Sequence, residues 1–64
     1  METLLIIDDD VGLLENLQMH FEEILQDGAP RYHVVTATNA AAGLKAAQES
    51  MPSVVILDMM LPVR

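Results

Sequence analysis

The sequence contains no cysteine. Disulfides, thiolate metal sites and thiol chemistry are therefore excluded, and the chain suits a reducing compartment. Basic residues are scarce: three Lys or Arg stand against ten Asp or Glu, a formal charge of −7. Direct nucleic-acid binding by this segment is not expected, because phosphate contacts need clustered Lys and Arg. Cations and basic protein surfaces are the better-matched partners. Aromatic residues are nearly absent, with one Tyr, one Phe and no Trp. Glycine is also sparse, and no Gly-rich phosphate loop, Ser-His-Asp set or nucleotide fingerprint is found. No apolar run approaches the ~20 residues needed to span a bilayer. The start lacks a basic n-region, and Asp8 interrupts the first apolar stretch. Neither a signal peptide nor a membrane segment is expected, which points to the cytoplasm.

What is present is an aliphatic, core-forming composition, 52% hydrophobic over 64 residues. That length allows one small domain. Such a chain buries only ~60% of the surface its unfolded state exposes, so its stability is marginal without a partner or a metal.

Apolar periodicity gives the order β-α-β-α-β. Leu4 to Ile7 are apolar without alternation, as in a strand buried on both faces. Asp8, Asp9 and Asp10 follow at once. Leu14, Leu17, Phe21, Ile24 and Leu25 then recur at helical spacing, predicting a helix from about Val11 to Asp27, capped by Asp10 and stopped by Gly28 and Pro30. Tyr32 to Ala37, rich in β-branched residues, predicts a second strand. Asn39 caps a predicted helix from Ala40 to about Ser50, with Ala40, Leu44, Ala47 and Met51 on one small inner face. Val54 to Leu57 is a third strand, apolar on both faces, with nothing after it to cover or pair it. If it lies at an edge, that edge is sticky, and self-association through it is expected. The fold class is α/β with a parallel sheet and right-handed crossovers, the front part of a larger domain.

Two of these strands end on aspartate. If they are parallel neighbours, Asp8 or Asp9 lies near Asp58 at the carboxyl edge of the sheet, where ligand sites of open α/β sheets sit. Crowded carboxylates repel unless a cation joins them, and Mg²⁺ binds one or two carboxylates while keeping several waters. An aspartate beside Mg²⁺ can accept a phosphoryl group. Asp58, alone at its strand end, is the candidate nucleophile, and Asp8 and Asp9 are the candidate metal holders. The plainer alternatives are a charge cluster favoured by a helix N-terminus for the trio and an ordinary turn residue for Asp58. An EF-hand loop counted from Asp8 fails, because its Gly position is Leu13 and its Glu position is Met19. His20 is expected on the solvated surface of the first helix, and His33 in or beside the second strand in a structural role.

The runs "LLIIDDD", "VVTATNAAAGLKAAQE" and "MPSVVILDMMLP" together resemble the receiver domain of two-component response regulators. The resemblance spans nearly the whole chain and implies a partial receiver domain over residues 1–64, the first three strands and two helices of a flavodoxin-like fold. The hydroxyl residue and the lysine that close the family's later strands have no counterpart here. By this resemblance Asp8 and Asp9 match the acidic pair, and Asp9 is the more direct Mg²⁺ ligand. Asp58 matches the phosphoacceptor. Met60 matches the position whose backbone carbonyl completes the metal site. The implied role is acceptance of a phosphoryl group from a sensor histidine kinase or a histidine phosphotransfer protein, switching an output module, rather than an enzyme of its own. Two other classes stay open: a non-catalytic interaction or assembly fragment pairing through its third strand, and an aspartyl-phosphate phosphohydrolase, for which Asp8 and Asp10 have suitable spacing.

Overall fold

The computed structural model describes residues 1–58. Three strands form a parallel sheet: β1 (Glu2–Ile7), β4 (Tyr32–Ala37) and β5 (Val54–Leu57), in the order β4-β1-β5. Helix α1 (Val11–Glu22) connects β1 towards β4, and α2 (Ala40–Ser50) connects β4 to β5. A two-stranded hairpin, β2 (Leu25–Gln26) with β3 (Ala29–Pro30), lies between α1 and β4. None of the described helices is long and apolar enough to cross a membrane.

Alternation along β1 explains the layers. Leu4 and Ile6 pack with Val34 and Leu14, against the partly buried Leu17, Phe21 and Tyr32. Leu5 and Ile7 pack on the opposite face with Ala37, against Val35, Ala46 and Ala47. One strand therefore feeds two cores, one under each helix. This is why the Leu4–Ile7 run is apolar without alternation and is buried throughout.

Side chains define both helix starts. The Asp10 carboxylate accepts from the Leu13 amide at 3.1 Å, and the Asn39 side-chain oxygen accepts from the Ala42 amide at 2.8 Å. Each satisfies an amide that lacks an intrahelical partner. Both caps are the residues expected from the sequence.

Three expectations need correction. Helix α1 ends at Glu22, five residues short of Asp27, because Asp27-Gly28 forms a hairpin turn instead of the last helical turn. Both residues have positive φ, 55° and 81°. A two-residue type I′ turn requires that, and Asp-Gly tolerates it best. Ile24 and Leu25 thus leave the helix, and Leu25 is exposed.

The inner face of α2 is also different. Gly43 is buried and Ala46, Ala47 and Ser50 are half-buried, while Ala40, Leu44 and Met51 are exposed. A Cβ at residue 43 would collide with Ile7 Cδ1 and lie 3.0 Å from Ile7 Cγ1. Close approach to the sheet thus selects the smallest residues, and Leu44 projects to solvent. Finally, His33 lies in β4 as expected but is exposed, so no packing role falls to it. His20 is on the surface as expected, edge-on to Phe21.

Strand β5 occupies the edge of the sheet among the described residues. Register pairs Val54 with Leu4 and Leu57 with Ile7. Helix α1 packs mainly on β4, and α2 on β4 and β1, so β5 gains little cover from either. Its Val54, Val55, Ile56 and Leu57 are 43, 49, 37 and 53% exposed.

Candidate functional site

All three parallel strands deliver their carboxyl ends to one edge. The Asp8 amide donates to Ala37 O, and the Asp58 amide donates to Ile7 O, each at 3.0 Å. These bonds extend the ladders one residue past the strands and fix both aspartates in register. Asp8 is held further: its carboxylate accepts from the Asp10 amide at 2.8 Å. That is an Asx turn, which swings the chain out of β1 and into α1.

Carboxylate oxygens of Asp8, Asp9 and Asp58 all lie within 4.8 Å of one another. Asp8 and Asp58 are half-buried and Asp9 is exposed. Unit charges ~4 Å apart repel by about 1 kcal/mol in bulk water and about 4 kcal/mol at an effective dielectric of ~20. A cation placed among the three carboxylates would offset such repulsion. Three hard oxygen donors, open to solvent on one side, suit an ion that keeps part of its water shell. Mg²⁺ matches that description; zinc, which favours nitrogen and sulfur, does not.

The three aspartates singled out in the sequence are therefore brought together. Asp10 is not part of the group; its carboxylate caps α1. The Asp8–Asp10 spacing that suits a phosphohydrolase instead serves the turn and the cap. Met60 lies outside the described residues. Sequence reasoning missed the second task of Asp8, as anchor of the β1–α1 turn. An aspartate two residues before a helix cap is the signal that could have shown it.

Similarity to known proteins extends over nearly the whole chain. The chain is 39% identical over 62 residues to the transcriptional regulatory protein KdpE of Mycobacterium tuberculosis strain CDC 1551 / Oshkosh. The same protein from strain ATCC 25618 / H37Rv matches equally. Each alignment covers 97% of this chain and 25% of the relative, so the chain spans about a quarter of the length of the curated relatives it matches. No family model matches the sequence. No solved structure matches it either. Parallel β4-β1-β5 order, helices between the strands and similarity to a response regulator together support an N-terminal fragment of a receiver domain.

Proposed function

We propose that residues 1–64 act as the phosphoacceptor part of a two-component receiver domain. The observation that carries this reading is the meeting of Asp8, Asp9 and Asp58 across two neighbouring strands, within 4.8 Å. A carboxylate oxygen of Asp58 attacks the phosphorus of a phosphohistidine on a sensor kinase or a phosphotransfer protein. The P–O bond to Asp58 forms as the P–N bond breaks, and the imidazole leaves and takes up a proton. Asp8, Asp9 and Asp58 would hold Mg²⁺, with the Met60 backbone carbonyl as the further donor that the family resemblance implies, and the ion would offset charge on the phosphoryl group. Asp8 is held by the Asp10 amide, which keeps its carboxylate oriented before any partner arrives. The phosphorylated state biases a conformational equilibrium read by an output module. The relative's name, a transcriptional regulatory protein, supports an output in transcription. The acidic balance of this segment leaves DNA contact to other parts of such a protein. The role is that of a signalling acceptor in the cytoplasm, not of a turnover enzyme.

Intact mass spectrometry tests this. The chain is incubated with Mg²⁺ and a small acyl phosphate, alongside Asp58→Asn. The expected result is a single phosphate adduct that needs Mg²⁺ and is lost in Asp58→Asn. An adduct retained in Asp58→Asn and lost in Asp8→Asn would move the acceptor to Asp8 and revive phosphohydrolase chemistry.

A second reading rests on β5. Four aliphatic side chains, each more than a third exposed, with no charge or proline among them, form an edge ready to pair. On this reading the chain is an assembly piece joining a second copy. Light scattering is expected to give a mass above the monomer, falling to the monomer in Val55→Lys. A monomer mass for the unaltered chain removes this reading and leaves the first untouched.

A further inference from the structure

Strand β4 ends the sheet on the side away from β5. In the flavodoxin-like order 2-1-3-4-5 the second parallel strand is terminal, and later strands add beyond the third. The backbone of β4 divides by parity. Arg31 O accepts from the Glu2 amide and Ala37 O from the Asp8 amide, so the odd residues turn their peptide groups to β1. The N–H and C=O groups of Tyr32, Val34 and Thr36 therefore face outward. Among the described residues no strand pairs with them. Natural edges are blunted by proline, charge or a bulge. Tyr32–Ala37 is six residues long, in unbroken register with β1, and contains no Pro, Lys, Arg, Asp or Glu. Neither helix closes this edge: Thr36, on the Val34 face under α1, and His33, on the Val35 face under α2, are both exposed. Charge is distributed to match. The chain carries −7, yet no Asp or Glu lies between Gly28 and Gln48. A second acidic chain can approach β4 without setting carboxylate against carboxylate.

We propose that β4 is the pairing edge for a second copy of this chain, in an antiparallel, two-fold arrangement centred on Val34. The register follows from the backbone. A two-fold axis perpendicular to the sheet keeps each face on its own side, so even residues meet even ones. Centring on Val34 sets it opposite the partner's Val34, and Tyr32 opposite the partner's Thr36. All the outward groups of β4 are then used, in about six N–H···O bonds. Centring on Val35 runs the pairing past Ala37, where the strand ends, and centring on His33 reaches Pro30, which has no N–H. Both shifts lose bonds. The cross-strand pairs are aromatic or β-branched, which suits a sheet. Antiparallel pairing also points the two carboxyl edges in opposite directions. The aspartate group of each copy thus stays clear of its counterpart.

The test joins sedimentation with cross-linking on the 64-residue chain. A concentration series is expected to show a monomer–dimer equilibrium. Thr36→Pro removes an outward donor and leaves the β1 ladder whole, so it is expected to raise Kd about tenfold or more. Thr36→Lys, at an exposed site, blunts the edge by charge and is expected to act in the same direction. Circular dichroism checks the fold of each, and Thr36→Lys decides if the proline variant does not fold. With no native cysteine, engineered thiols report the register. His33 lies opposite the partner's Val35 in a non-hydrogen-bonded pair, Cα atoms ~4.5 Å apart, within disulfide reach. Mixing His33→Cys with Val35→Cys in oxidised glutathione is expected to give the mixed disulfide in several-fold excess over either homodimer, read by intact mass. A monomer at every concentration up to about 1 mM would overturn the proposal. A statistical mixture of disulfides would do the same. A dimer kept in the Thr36 variants and lost in Val55→Lys would place the interface at β5 and overturn pairing through β4.

Discussion

Leu5→Ala is expected to abolish the cooperative thermal melt, whereas Leu44→Ala is expected to leave it in place. Leu5 is 0% exposed, at the centre of the central strand and under α2. Truncating such a leucine costs about 2–5 kcal/mol, from lost transfer energy and from the cavity left behind. A core of this size rarely supplies more than about 3–5 kcal/mol in total. The loss therefore matches the whole stability of the chain. Leu44 is 63% exposed, and surface changes usually stay within about 0.5 kcal/mol. Alanine is also the better helix former, so the Leu44 change has no penalty to set against its lost contacts. Circular dichroism melts of the two variants provide the check. The contrast is sharp because both are leucines of apolar segments. A cooperative melt for Leu5→Ala, or loss of the melt for Leu44→Ala, would contradict the packing of α2 described above.

The second large effect is expected at Gly43, where two tendencies oppose each other. Replacing a mid-helix glycine by alanine gains about 1 kcal/mol of helix propensity. Here the added methyl runs into the Ile7 side chain, which is only 8% exposed and has little room to turn away. Overpacking of this kind costs about 1–3 kcal/mol. Packing is expected to win, and Gly43→Ala to destabilise despite the better helix. The diagnostic variant is the pair Gly43→Ala with Ile7→Val. Valine lacks the Cδ1 atom that the new methyl would meet, so the double variant is expected to be more stable than the sum of the single changes predicts. Urea titrations of the four proteins give that coupling directly. Additive losses would mean that the Gly43 backbone does not sit against Ile7.

Much of this architecture is legible in the sequence, for reasons that can be named. The strands at Leu4 to Ile7 and at Tyr32 to Ala37, the caps Asp10 and Asn39, and the parallel order all rest on local signals that tertiary structure does not override. The meeting of Asp8, Asp9 and Asp58 was legible only through that order, since nothing local links residues fifty positions apart. The failures are as informative. Ile24 and Leu25 continue the helical period of Leu14, Leu17 and Phe21, so periodicity carried the helix too far. The Asp27-Gly28 turn signal inside that stretch is stronger than the period, because both residues take positive φ. On α2 the apolar pattern chose Leu44 for the inner face, and close packing chose Gly43. Hydrophobicity alone does not report how near a helix can approach a sheet. The Val54–Leu57 run, expected to be an uncovered strand if it lay at an edge, is exposed among the described residues.

The strand order carries a consequence for the life history of the site. Pairing of β1 with β4 joins segments about thirty residues apart and can occur as soon as both have left the ribosome. Pairing of β1 with β5 must wait for segments about fifty residues apart. Thr3 and Ser53, bonded at 3.3 Å across a separation of 50, belong to that last closure. Contacts of such sequence separation form late, after the local ones have been secured. Asp8 and Asp9 are thus in place on a nascent chain well before Asp58 arrives. A newborn chain passes through a stage in which half its fold exists and its acidic centre does not. The meeting of the three aspartates at this edge is thus a later event than the pairing of β1 with β4.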